Sequence, residues 1–446
     1  MNRRRPAFAA AALLATLASC AQAPISSEAA PQLQACPPGQ PAGARCWFGQ
    51  DSAGAHYAVV MPAQWNGHLV LHSHGGPTLL PGGPQRVLQD LERWTVWPRA
   101  GYALALSSFA LGGVALRSAA EDTERVRRIF VQHVARPGRT ILHGQSWGAG
   151  VAAKGAEMFT AGTPYDAVLL TSGVLAGGTR AYDFRLDLRV VYQHLCGNHP
   201  RPTEPAYPLW MGLPAGTQAA DAQVAERARE CLGLGLQAGQ RSPQQAHKLA
   251  TLTRVIRIPE TSVQGHLNWA TLFFRDIVQH RTGGLNPFGN IGARYSGSGS
   301  EHSDAVLNAA VLRYRADPAA VKTLADDTDL QGRIQVPVLS LHAIDDPTAF
   351  VEMQTSFADT MARGGSAQQL VQAYTSHAEH SYLADAVYVA SAAALLAWVD
   401  RGDKPTPTSL AQACETLQAQ WGTGCRMRPD YRPAALDSRV PPRQRP

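Results

Sequence analysis

Charge is scarce in this chain. Only 17% of its 446 residues are Asp, Glu, Lys or Arg, and no long run of one sign occurs. That composition excludes a disordered charged protein and a basic track for nucleic acid. The formal charge of +6 overstates the balance, because Arg3, Arg4 and Arg5 lie in a segment expected to be removed, which leaves +3. Such an excess is too small to point to an anionic partner. Long apolar runs are missing too: the N-terminal one, Ala7 to Ala18, is about 12 residues against the roughly 20 that cross a bilayer. Metal-binding patterns are equally absent. His72 and His74 alternate on a predicted strand without a third ligand, and His377, Glu379 and His380 do not match the helical H-E-x-x-H spacing.

What the N-terminus does contain is a basic start, the short apolar run and then Leu17-Ala18-Ser19-Cys20. This reads as an export signal over residues 1–19, with Cys20 placed like the lipidated cysteine of a bacterial lipobox. Ordinary cleavage at Ala21-Gln22-Ala23 is the alternative. Residues 20–45, rich in Pro, Ala and Gln, are expected to be a tether from anchor to folded body. The protein is then exported: a periplasmic or outer-membrane-anchored lipoprotein, or extracellular, touching membrane only through its lipid.

Setting Cys20 aside leaves six cysteines, an even number that argues for disulfides in an exported chain. Six allow 15 connectivities. Local closure selects Cys36–Cys46, Cys196–Cys231 and Cys414–Cys425.

From Cys46 onward, apolar runs of strand length alternate with helix-length amphipathic segments. Strands are expected at Tyr57 to Met61, His68 to Ser73, Tyr102 to Ser107, Thr140 to His143, Ala167 to Thr171, Val336 to Leu341 and Leu370 to Tyr374. Helices are expected at Ala119 to Val134 and Ala384 to Arg401, the latter stopped by Gly402 and Pro405. This is an α/β pattern with a mostly parallel sheet flanked by helices. It divides into a first core part over 46–175, a mainly helical insertion over 176–332, a second core part over 333–425 and an Arg/Pro-rich, extended tail over 426–446. Within the insertion, Trp269 and Phe273 share a helical face, and with Trp210, Phe274 and Tyr295 they form mostly a small core, one or two lining a pocket. The Ser296–Ser300 run reads as a flexible surface loop.

The chemistry centres on Gly144-Gln145-Ser146-Trp147-Gly148, which follows one apolar strand and opens the small-residue stretch Ala149 to Ala153. This context reads as a nucleophile elbow with Ser146 at the apex of a strained turn, its flanking glycines needed for close approach. A serine hydroxyl needs a base and oxyanion donors. Carboxylates Asp345 and Asp346 stand at the end of one strand and His377 and His380 follow the last, which gives the order serine, acid, histidine. Gly75 and Gly76, in His74-Gly75-Gly76-Pro77, offer backbone amides to join that of Trp147.

On these residues the chain resembles the α/β-hydrolase superfamily, over roughly Cys46 to Lys404 apart from the insertion. The resemblance implies a helical cap between the nucleophile and acid/histidine halves, and no cofactor. Members commonly place a glycine three residues before the catalytic aspartate. Here Ala343 stands there and Asp346 matches, with Asp345 as the alternative. The histidine just before a small residue and an aromatic is His380, with His377 as the alternative. The implied activity is hydrolysis of a small or oligomeric carboxylic ester. HGGP with GQSWG is also similar to the proline iminopeptidase group, in which case a cap carboxylate such as Glu204, Glu226 or Glu260 would bind the substrate ammonium. A hydrolase-fold binding protein without catalysis is the remaining alternative.

Overall fold

A computed structural model of the protein describes residues 28–160, 162, 164–217 and 221–444. The expected signal segment 1–19 and Cys20 lie outside them. Nine strands form one sheet: β1 (Gln32–Gln34), β2 (Arg45–Gln50), β3 (His56–Met61), β4 (His68–Ser73), β5 (Ala103–Ser107), β6 (Arg139–Gln145), β7 (Ala167–Thr171), β8 (Val338–Ala343) and β9 (Leu370–Thr375). Their order is β1-β2-β3-β5-β4-β6-β7-β8-β9. The first three strands pair antiparallel, and β5 through β9 run parallel across the rest. The protein is thus mixed α/β.

Alternation along each strand sorts side chains to two buried faces. Leu69, Leu71, Ala105, Leu142 and Val168 share one face with Val126, Ile129 and Phe130 of the helix Leu116–His133. Val70, Leu104, Ile141 and Leu169 share the other with Tyr388 and Leu395 of the helix Asp385–Arg401. Because both faces are covered, the central strands read as continuous apolar runs.

Between β7 and β8 no strand occurs among the described residues. Helices Asp183–Cys196, Asp221–Leu232, Pro243–Ile256, Glu260–Asn268, Glu301–Ala310 and Pro318–Thr328 fill the stretch. Their apolar faces pack into one cluster with Leu116, Trp147, Phe350 and Met353 of the sheet layers. No described helix is long and apolar enough to cross a membrane.

Three expectations need correction. Residues 28–45 are no free tether: β1 pairs with β2, and Glu28 accepts bonds from the Ser52 amide at 2.8 Å and hydroxyl at 2.6 Å. The chain after Cys425 does not trail away either. Ser376 N bonds Arg426 O at 2.8 Å, Arg428 N bonds Tyr374 O at 2.8 Å, and Leu436 and Val440 join the apolar cluster of the helical stretch. Arg443 then reaches Asp187 at 2.5 Å and Asp183 at 3.6 Å, both partners buried. The Ser296–Ser300 loop is tied down, because Asp304 accepts from the Gly297 and Ser298 amides and Ser300 caps the helix Glu301–Ala310. A further helix, Pro407–Trp421, follows the expected stop at Gly402 and Pro405; Thr406 caps it and Pro407 occupies its first turn.

All three expected disulfides are formed: Cys36–Cys46, Cys196–Cys231 and Cys414–Cys425.

Candidate active site

Strand β6 ends at Gln145 and a helix begins at Trp147, so Ser146 alone carries the reversal. Its backbone has φ +58° and ψ −122°, a conformation that costs a non-glycine residue about 1–3 kcal/mol. Three hydrogen bonds hold it there: Ser146 N donates to Thr171 O at 2.9 Å, and its carbonyl accepts from Ala149 N and Val174 N, each at 3.1 Å. The neighbouring glycines are steric requirements. A Cβ at Gly144 would strike the Gly148 carbonyl, and one at Gly148 would strike the carbonyls of Ser73 and His74.

Beside β6, the pairing Ser73↔Gly144 sets the loop after β4 against this turn. Gly75 lies so close to Gln145 that a Cβ there would meet its backbone oxygen at 3.0 Å, and Gly76 takes φ +68°. Trp147 is the first residue of its helix, so its amide has no carbonyl one turn back to bond.

Strand β8 ends at Ala343, and Asp346 follows in a turn where its Oδ1 accepts from the amides of Thr348 at 2.8 Å and Ala349 at 2.9 Å. His380 stands in the loop after β9. Its Nδ1 lies 2.8 Å from Asp346 Oδ2 and its Nε2 lies 2.7 Å from Ser146 Oγ. A carboxylate only accepts, so Nδ1 carries the proton and Nε2 turns its lone pair to the hydroxyl. The Asp346 side chain is fully buried and that of His380 is 15% exposed.

The structure therefore brings Ser146, His380 and Asp346 into one hydrogen-bonded series. Asp345 is exposed and makes no bond to either histidine, and His377 is buried in the loop with its Nδ1 unpartnered. His72 and His74 do not form a pair: His72 Nδ1 lies 2.9 Å from His143 Nδ1, and His74 stacks on Phe109 at 4.2 Å.

Four side chains around the series had no local sequence signal. His342 Nδ1 accepts from Gln354 Nε2 at 2.9 Å, and its Nε2 donates to Ala349 O at 2.8 Å. His266 bonds Pro347 O at 3.3 Å, and Arg185 lies over the Trp269 ring at 4.2 Å. Arg185 and His266 are brought in by elements distant in the chain, whereas His342 and Gln354 lie close to Asp346 in sequence. Of the expected aromatics, Phe274 stacks on Phe288 at 3.9 Å and Tyr295 bonds Asp187 at 2.7 Å, as members of the helical core, whereas Trp269 stacks on Phe273 at 5.2 Å and faces Arg185. A cleft of about 630 Å³, lined by Gln32, Phe48, Tyr57 and Val87, lies at the β1–β3 edge and is unrelated to Ser146.

No known family matches the chain by sequence, and no curated protein does. Among solved structures, the ligand-bound rice cell wall degrading esterase LipA from Xanthomonas oryzae is 13% identical, over 85% of this chain and 89% of its own, with a TM-score of 0.36. An esterase from Aspergillus oryzae is 11% identical over 81% and 80%, with a TM-score of 0.44. Feruloyl esterase B from Aspergillus oryzae is 14% identical over 81% of each chain, with a TM-score of 0.40. Likeness of this degree assigns neither activity nor substrate.

Proposed function

We propose that this protein is an exported serine hydrolase of the α/β-hydrolase type that cleaves carboxylic esters through an acyl-enzyme on Ser146. The observation that carries the reading is the series Ser146 Oγ, His380 Nε2, His380 Nδ1 and Asp346, with contacts of 2.7 and 2.8 Å. His380 takes the serine proton as Oγ attacks the ester carbonyl, then gives it to the departing alcohol. Water, deprotonated by the same imidazole, attacks the acyl-enzyme and releases the acid. Asp346 fixes the imidazole tautomer and stabilises the imidazolium. The amides of Trp147 and of Gly75 or Gly76 hold the oxyanion, each worth about 3 kcal/mol in the transition state. The helical stretch 176–332 acts as a cap over this site, and the chain reaches the membrane through a lipid on Cys20.

Charge placement favours an ester over an aminopeptidase substrate. Of the cap carboxylates that could bind an ammonium, Glu204 is paired with Arg227 at 2.6 Å, Glu260 is paired with Arg241, and Glu226 is exposed. The cap presents a buried cation, Arg185, instead.

A fluorophosphonate probe on wild type and Ser146→Ala tests the nucleophile: wild type alone should label, and equal labelling of both, or of neither, ends the reading. A panel of p-nitrophenyl esters and aminoacyl-p-nitroanilides tests the substrate class. Turnover confined to the anilides would assign a peptidase.

A further inference from the structure

Arg185, near the start of the helix Asp183–Cys196, is only 5% exposed. No carboxylate among the described residues pairs with it. Its guanidinium lies 4.2 Å from the Trp269 ring, 4.7 Å from Phe184 and 5.6 Å from Tyr182. One long bond runs from Nη1 to Ala181 O at 3.4 Å, and Nε has no partner. Arg443 forms the contrast, lying against Asp187 and Asp183.

A guanidinium offers five donors in a planar fork, and taking its charge out of water is costly unless those donors are met. Aromatic faces recover only part of that cost. Burial accordingly presses the Arg185 pKa down to about 9, still high enough for it to be charged at neutral pH. The unmet requirement matches a carboxylate, which accepts two parallel N–H bonds from such a fork.

Its position ties it to the reacting groups. Tyr182, one of its ring neighbours, belongs to the same buried cluster as Trp147, the residue after Ser146. His266 packs edge-on to Phe184 at 4.9 Å, bonds the carbonyl of Pro347, the residue after Asp346, and lies within electrostatic reach of both Arg185 and His380. Arg185 is thus bracketed by side chains that flank Ser146 on one element and Asp346 on another.

We propose that Arg185 is the specificity group of this site and binds a carboxylate on the substrate, so that esters bearing a free carboxylate, such as half-esters of dicarboxylic acids, are preferred to neutral esters. The proposal rests on Ser146 as nucleophile. Arg185 stays protonated throughout and takes no part in bond making.

The test compares mono-p-nitrophenyl glutarate with neutral p-nitrophenyl valerate. Wild type should favour the half-ester in kcat/KM by about 100-fold, as expected for a charge-assisted pair. Arg185→Leu should erase that ratio and Arg185→Lys should restore part of it; Arg185→Gln replaces the leucine variant if that fails to fold. An unchanged ratio in the variant overturns the proposal. Calorimetric binding of glutarate to Ser146→Ala reads the same contact without turnover, and it should vanish when Arg185→Leu is added. No glutarate binding, or preferential binding of inorganic phosphate, overturns the carboxylate assignment while fluorophosphonate labelling of Ser146 would leave the hydrolase reading intact. Glutarate bound through Arg185 with Ser146 unlabelled would do the reverse.

Discussion

His342 brings its Nε2 to 3.5 Å from the Asp346 carboxylate, and burial holds that imidazole's pKa below the ordinary 6.5, so it stands there uncharged at neutral pH. Its own donors and acceptors are taken by Gln354 and Ala349. The Asp346 charge is therefore left to His380. Asp346→Asn should lower kcat on p-nitrophenyl esters by about 10³–10⁴-fold, because the wrong imidazole tautomer is then favoured. Asp345→Asn, at an exposed position, should stay within about twofold of wild type. Equal losses in the two variants would remove Asp346 from its role.

Acid should destabilise the fold through histidines that are buried uncharged. Burial, aided for His74 by Arg86, holds the pKa of His74 and of His143 down to about 3. Below its ordinary 6.5 each binds a proton in the unfolded chain and not in the folded one. Stability is thus fully present above pH 6.5 and is lost as pH falls toward 3, at about 2.7 kcal/mol per pH unit for the two together. The same direction holds for His72, His199, His266, His342 and His377. Asp90 opposes them, because burial raises its pKa to about 6, so it regains stability between pH 6 and 3.8. The urea midpoint should fall between pH 7.5 and 5, and a constant midpoint would contradict this account.

The contact between Arg443 and Asp187 joins two side chains that are each 2% exposed. Arg443→Ala leaves Asp187 buried beside Asp183 without its guanidinium, and should destabilise the protein by about 3–5 kcal/mol in denaturant titration. Ending the chain after Arg432 should have an effect at least as large. A loss below about 1 kcal/mol would show that the tail adds little to the fold.

Cys196 and Cys231 are 35 residues apart, so their disulfide closes the longest of the three loops. Replacing both with serine should cost about 4 kcal/mol through release of the unfolded chain, against about 3 kcal/mol for either short loop. Urea titrations of the three double variants give the order, and a larger loss at Cys36 and Cys46 would reverse it.

Where residues are buried on both sides, the sequence pattern translated directly into strands: β4 and β7 fall at the expected positions, and β6 runs two residues beyond His143 because glycine and glutamine there continue the strand into the elbow. The edge was harder to read. Gln32–Gln34 is exposed at every position, so no alternation marks it as a strand. The helix Pro407–Trp421 buries only Leu410 and Cys414 and leaves a polar face that resembles a linker. Ser146 and its glycines form one local motif, whereas the choices between Asp345 and Asp346 and between His377 and His380 depend on which side chain turns inward. Arg185 acquires meaning only from elements far away in the chain, as does Arg443, whereas the partners of His342 all lie within 12 residues of it.

Synthesis order gives the ion pair at Arg443 a temporal side. Asp187 leaves the ribosome 256 residues before its guanidinium partner. A nascent chain that has already made the whole helical segment still lacks the cation that neutralises Asp187, so this contact closes only once Arg443 has emerged. A segment fused shortly after Arg443 must leave room for this late closure.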